Sequence, residues 1–158
     1  MIIAIDFDGT CVTHEFPNIG KDIGAEPVLK WLIERGHKFI LHTMRSGKHL
    51  KYAREWFKEH GIELYGVNEN PSQYTWTDSP KPYAQVYIDD AALGCPLIIN
   101  KDLSDRPYVD WRQVETFFRR IFQGETLIVG HTDLVLGGTD GDDDSVDCDD
   151  SSGGRDTA

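Results

Sequence analysis

The acidic residues of this sequence that can do chemistry stand at the ends of short apolar runs. Asp6-Phe7-Asp8-Gly9-Thr10 follows directly on Ile2–Ile5, and Asp89-Asp90 follows directly on Val86–Ile88. Between them come His42-Thr43-Met44-Arg45, behind the run Phe39–Leu41, and then Ser79-Pro80-Lys81-Pro82. In an open α/β sheet a ligand binds beyond the carboxyl ends of the strands, near the point where strand order reverses. Acids some 80 residues apart in sequence converge there if their strands are neighbours. Carboxylates gathered out of water repel one another, so such a cluster calls for a cation. Oxygen ligands with neither His nor Cys beside them favour a hard ion, magnesium over zinc. Lys81 and Thr43 then offer a charge and a hydroxyl to an anionic group held by that ion. Taken alone, Asp-x-Asp-Gly is also an ordinary capped turn, and Thr43 and Lys81 are also an ordinary cap and a solvated charge.

The elements that must position these residues follow from hydrophobic periodicity. Ile2–Ile5 reads as a strand buried on both faces of a parallel sheet. From Glu26 to Glu34, Val28, Leu29, Leu32 and Ile33 fall at helical spacing, with Gly36 as the stop. Phe39–Leu41 is a second strand, and Leu50, Ala53, Phe57 and Gly61 mark a second helix. Leu64–Val67 and Val86–Ile88 give strands three and four, and Leu97–Ile99 reads as a fifth. Asp110 caps a last helix, with Trp111, Val114, Phe117, Phe118 and Ile121 as its buried stripe. Strands alternating with helices imply a parallel, three-layer α/β sheet with right-handed crossovers.

The charge is divided unevenly. Residues 1–123 hold 15 Lys+Arg against 17 Asp+Glu, a net of −2, whereas residues 124–158 hold Arg155 against ten acids, a net of −9. Residues 1–123 are thus expected as the core, 124–136 as short accessory strands (Thr126–Val129 and Leu134–Leu136 around a turn), and 137–158 as a disordered acidic tail. Asp140–Asp150 resembles a calcium loop only superficially, because Ser145 stands where an EF-hand needs glycine. Cys11, Cys95 and Cys148 are odd in number and widely spaced, which suits reduced thiols. No stretch approaches the ~20 apolar residues of a membrane span, and Met1–Asp6 lacks the features of a signal peptide, so the expected setting is cytoplasmic, with no membrane partner.

Asp6-Phe7-Asp8-Gly9-Thr10, Thr43, Lys81 and Asp89-Asp90, in that order, resemble the four motifs of the haloacid dehalogenase (HAD) superfamily: an Asp-x-Asp-Gly-Thr strand end, a Ser/Thr, a Lys and an acidic pair. Ile2–Thr10 together with Tyr87-Ile88-Asp89-Asp90 is similar, more narrowly, to small capless HAD hydrolases of bacteria and phages. The resemblance implies a HAD-like Rossmannoid three-layer sandwich. Neither the roughly 15 residues after Thr10 nor the 37 between Thr43 and Lys81 leave room for a cap domain. It further implies that Asp6 is the nucleophile forming an aspartyl-phosphate, and that Asp8 protonates the leaving oxygen and then activates water. Magnesium would be held by Asp6, by Asp8 through its backbone carbonyl, and by Asp89. Asp90 either binds through water or orients Lys81. Thr43 and Lys81 would be catalytic and would also hold the phosphoryl oxygens, with Gly9 and Thr10 of the turn. Arg45 is a candidate substrate-phosphate contact.

The expected activity is a magnesium-dependent phosphomonoesterase acting on a sugar phosphate or nucleotide. The second aspartate argues against dehalogenation, since halide needs no acid to leave. A phosphatase of nucleic-acid ends is an alternative, supported by Lys48, Lys51, Arg54 and Lys58, but Glu55 and Glu59 dilute that face and make nucleic acid a poor partner. A phosphoacceptor signalling module is another, disfavoured because Lys81 precedes the acidic pair. An open site accepts bulky substrates or is closed by a second subunit, so a homo-oligomer stays open. Tyr74 and Trp76 suit either stacking on a substrate or packing as a lid.

Overall fold

A computed structural model describes residues 1–124, together with the backbone of Ile128–Val129 and Thr132–Asp133. The expected tail at 137–158, like Leu134–Leu136, lies outside the described residues. The chain divides into two compact units, Met1–Arg119 and Arg120–Ala158.

The first unit is built on a four-stranded, all-parallel sheet. Its strands are β1 (Ile2–Ile5), β2 (Lys38–Leu41), β3 (Leu64–Val67) and β4 (Val86–Ile88), in the order β3-β2-β1-β4. Helix α1 (Ala25–Ile33) joins β1 to β2, and α2 (Gly47–Glu59) joins β2 to β3. β1 is central and apolar on both faces, as a parallel strand covered by helices must be: Ile3, Ala4 and Ile5 are all buried. Phe39, Ile40 and Leu41 continue this core across β2, and Leu29, Leu32 and Phe57 close onto it from the helices. Both helices end near the expected glycines, where Gly36 and Gly61 take positive φ.

Leu97–Ile99 does not become a fifth parallel strand. Leu97–Ile98 forms β5, which pairs antiparallel with β6 (Tyr108–Val109) in a separate two-stranded ribbon. The apolar run is long enough to mark a strand but says nothing of its partner, and a β-ribbon needs only a short return. Helix α3 (Trp111–Phe122) follows, capped as expected: the Asp110 carboxylate accepts the backbone N–H of Arg112 at 3.1 Å. In the second unit β7 (Ile128–Val129) pairs antiparallel with β8 (Thr132–Asp133). Among the described residues no helix is long and apolar enough to cross a membrane.

Candidate functional site

The chain runs β1, β2, β3 outward in one direction and then returns to place β4 on the other side of β1, so strand order reverses between β1 and β4. This is where an α/β sheet opens a crevice at its carboxyl edge. Register sets the two strand ends level: Ile5 lies opposite Ile88, and the Asp6 N–H donates to the Ile88 carbonyl at 2.9 Å. The next residues, Asp6 and Asp89, therefore leave the sheet side by side. Carboxylate oxygens of Asp6, Asp89 and Asp90 all lie within 4.8 Å of one another, each side chain partly exposed.

That arrangement is electrostatically costly as it stands. Burial pushes the Asp6 carboxyl up to about 7, and Asp89, Asp90 and Asp8 add to the rise, against a lowering hydrogen bond from the Phe7 backbone. Asp90 is raised too, by burial first and then by Asp89, while His14 and Arg106 pull it down. The Cys11 thiol, buried beneath, is pushed well up by burial and by Asp6 and Asp8, and it donates to the Asp6 carbonyl at 3.3 Å. Three convergent carboxylates, of which Asp6 and Asp90 are raised by burial and by their neighbours, fit a hard cation, which would relieve the repulsion that burial intensifies.

The turn after Asp6 is held by its own backbone. The Cys11 N–H reaches the Phe7 carbonyl and the Gly9 N–H the Val12 carbonyl, both at 2.8 Å. Gly9 has φ +77, and a Cβ there would run into the carboxylate of Asp90, so the turn tolerates only glycine. Thr10 does not face a substrate. It is fully buried, its hydroxyl accepts the Asp90 N–H at 3.0 Å, and its carbonyl accepts the Trp111 indole N–H at 2.7 Å. Gly9 and Thr10, expected to bind substrate, instead position the acidic pair. With the amides of Gly9 to Val12 bonded within the loop, few are left to hold a phosphoryl group.

Asp8 stands apart from the acidic cluster, so its carboxylate is not one of the clustered metal ligands. Both of its oxygens accept from Arg45, Nε to Oδ2 at 2.7 Å and Nη2 to Oδ1 at 2.6 Å. Arg45, expected as a substrate-phosphate contact, is 3% exposed, with its guanidinium engaged by Asp8. Sequence reading missed this pairing because the partners lie 37 residues apart and arginine is usually exposed. Thr43 is buried at the end of β2, and its hydroxyl accepts the Arg45 N–H at 3.2 Å. Asn68, which the sequence reading did not single out, clamps the Thr43 backbone on both sides. Its Oδ1 accepts the Thr43 N–H at 2.8 Å, and its Nδ2 donates to the Thr43 carbonyl at 2.9 Å. Asn68 adopts φ 53, the only described non-glycine residue with positive φ. An Asn directly after a strand was the available signal, since Asn tolerates that conformation.

Lys81 is not brought to the carboxylates. It is exposed, with Nζ over the Tyr87 ring at 5.6 Å, and among the described residues it makes no ion pair with Asp6, Asp89 or Asp90. The Gln73 side chain fixes its loop, donating to the carbonyls of Ser79 and Lys81 and accepting the Tyr83 N–H. Tyr74 and Trp76 do not form a packed lid; both are more than half exposed.

No family model and no curated protein matches the chain. Among solved structures it is similar to a conserved protein coded by a locus of Bacteroides thetaiotaomicron, at 34% identity and a TM-score of 0.62, over 77% of this chain and 91% of that one.

Proposed function

We propose that this chain, which belongs to one family with that conserved Bacteroides protein, is a capless HAD-type phosphatase that uses magnesium to hydrolyse a small phosphomonoester through an aspartyl-phosphate. The observation that carries the reading is the convergence of Asp6, Asp89 and Asp90 at the point where strand order reverses, with Asp8 two residues beyond the nucleophile. The β3-β2-β1-β4 order, and the lack of a domain-sized insertion between β1 and α1 or between β3 and β4, support the HAD-like, uncapped form.

Asp6, Asp89 and Asp90 would hold the ion. When bound, it neutralises the carboxylates and the phosphoryl oxygens so that like charges can approach. An Asp6 oxygen attacks phosphorus, and Asp8 handles the proton of the water that later releases phosphate. Thr43, fixed by Asn68, presents a hydroxyl at the neighbouring strand end. Lys81 reaches a bound phosphoryl group only by leaving the Tyr87 ring. Phosphate release from sugar phosphates, nucleotides and aryl phosphates, with magnesium or chelator, tests the reading. Magnesium-dependent turnover lost in Asp6→Asn supports it; turnover that survives in chelator or in that variant overturns it.

A further inference from the structure

We propose that Arg106, on the loop that enters β6, holds a second anionic group of the substrate, a carboxylate or a further phosphate, so that the preferred ester carries a negative charge remote from the bond that breaks. The inference rests on the phosphatase reading, adds no step to it and narrows its substrate class. The ribbon that carries Arg106 is bonded to the site itself. From β6 the Val109 N–H donates to the Gly9 carbonyl at 2.9 Å, and just beyond it the Trp111 indole N–H donates to the Thr10 carbonyl at 2.7 Å. Gly9 lies against the Asp90 carboxylate, and the Thr10 hydroxyl accepts the Asp90 N–H. Arg106 comes three residues before Val109, so its loop flanks the acidic cluster on the Asp90 side.

That loop is preformed by its own hydrogen bonds. The Leu103 and Ser104 N–H groups both donate to the Asn100 carbonyl, at 3.0 and 2.9 Å, and the buried Ser104 accepts the Arg106 N–H on its hydroxyl at 3.1 Å. Lys21, from the loop that follows Thr10, reaches the Leu103 carbonyl at 2.8 Å. The cations expected at the site are engaged elsewhere, Arg45 on Asp8 and Lys81 over the Tyr87 ring. Arg106 is exposed and, among the described residues, its guanidinium makes no ion pair, although Asp102 and Asp105 share its loop. Burial and Asp89 raise the Asp90 carboxyl, and His14 and Arg106 pull it back, whereas burial, the Phe7 backbone and the other carboxylates account for Asp6. Arg106 therefore serves a group beyond the phosphorus that Asp6 attacks. A guanidinium meets a carboxylate or a phosphate there with two parallel N–H donors.

The test is kcat and KM, with magnesium, for straight-chain alkyl phosphates of graded length whose far end is a hydroxyl, a carboxylate or a second phosphate. At the best length an anionic end should raise kcat/KM by ~10-fold or more over the hydroxyl end, and the preferred end, carboxylate or phosphate, identifies the group. Arg106→Gln should remove that advantage, chiefly through KM, while the hydroxyl-ended esters stay within ~2-fold of wild type. Arg106→Lys should restore part of it, since a lysine supplies the charge without the fork. Lys101→Gln, which removes a charge from the same loop, should leave the advantage in place. Wild-type turnover that is indifferent to the far end overturns this inference and leaves the phosphatase reading intact. So does an Arg106→Gln protein that loses activity equally toward every ester, or a Lys101→Gln protein that loses the advantage as fully. Silence toward every ester, or turnover unaltered by Asp6→Asn, overturns both.

Discussion

Replacing Asp6 by Asn should stabilise the cation-free protein, and by an amount that depends on pH. The Asp6 carboxyl is raised from 3.8 to about 7 in the fold, first by burial and then by Asp89, Asp90 and Asp8. Between those two values the folded state holds a proton that the unfolded chain has lost, so stability falls as pH rises through this window. A rise of about three units is worth about 4 kcal/mol. In chelator, Asp6→Asn should therefore match wild type near pH 4 and exceed it by up to about 4 kcal/mol at pH 8. For a domain of this size that is on the order of 10 °C in Tm. Urea unfolding across pH 4–8, followed by circular dichroism, measures the difference directly. Saturating magnesium should reverse the order at pH 8, raising wild type and leaving the variant unmoved. A stability difference that stays constant with pH would refute the argument that Asp6 is held in an unfavourable field.

Three other substitutions probe the scaffold around the carboxylates. Gly9→Ala forces a side chain into a positive-φ position and against Asp90, and should cost about 1–3 kcal/mol of stability and weaken magnesium binding measured by calorimetry. Asn68→Ala removes both bonds to the Thr43 backbone; the expected cost is about 1–3 kcal/mol, with a raised KM and an unaltered magnesium affinity. Phe57→Ala empties a fully buried site beneath the sheet, and should destabilise by about 3–5 kcal/mol while leaving the magnesium affinity of the folded fraction unchanged.

Elements that bury a repeating apolar face were legible without coordinates. Ile2–Ile5 announces a central strand because both its faces must be covered, and Val28, Leu29 and Leu32 announce a helix because they share one side. The convergence of Asp6 with Asp89 and Asp90 was legible for the same reason, since acids at strand ends inherit their position from the sheet. Pairings that depend on a distant polar partner were not. Arg45 looks like any surface arginine until Asp8 is seen within 2.7 Å, and Thr10 looks like a phosphate ligand until Asp90 claims its hydroxyl. Leu97–Ile98 failed as a parallel strand because two or three apolar residues specify extension but not direction. Lys81 has the expected order in the chain, yet its loop is held by Gln73, whose two-ended grip has no sequence signature.

The strand order also fixes when, during synthesis, the cluster comes into being. As the chain emerges from its amino end, β1, β2 and β3 can pair with one another in sequence, while the other side of β1 stays bare until residues 86–88 arrive. Asp6 spends that interval without the repulsion that Asp89 and Asp90 add. Only the last strand of the sheet, inserted beside the first to be made, creates the crowded pocket. The three-carboxylate cluster is then a property of the finished sheet alone, and a nascent chain halted before β4 lacks two of its three members.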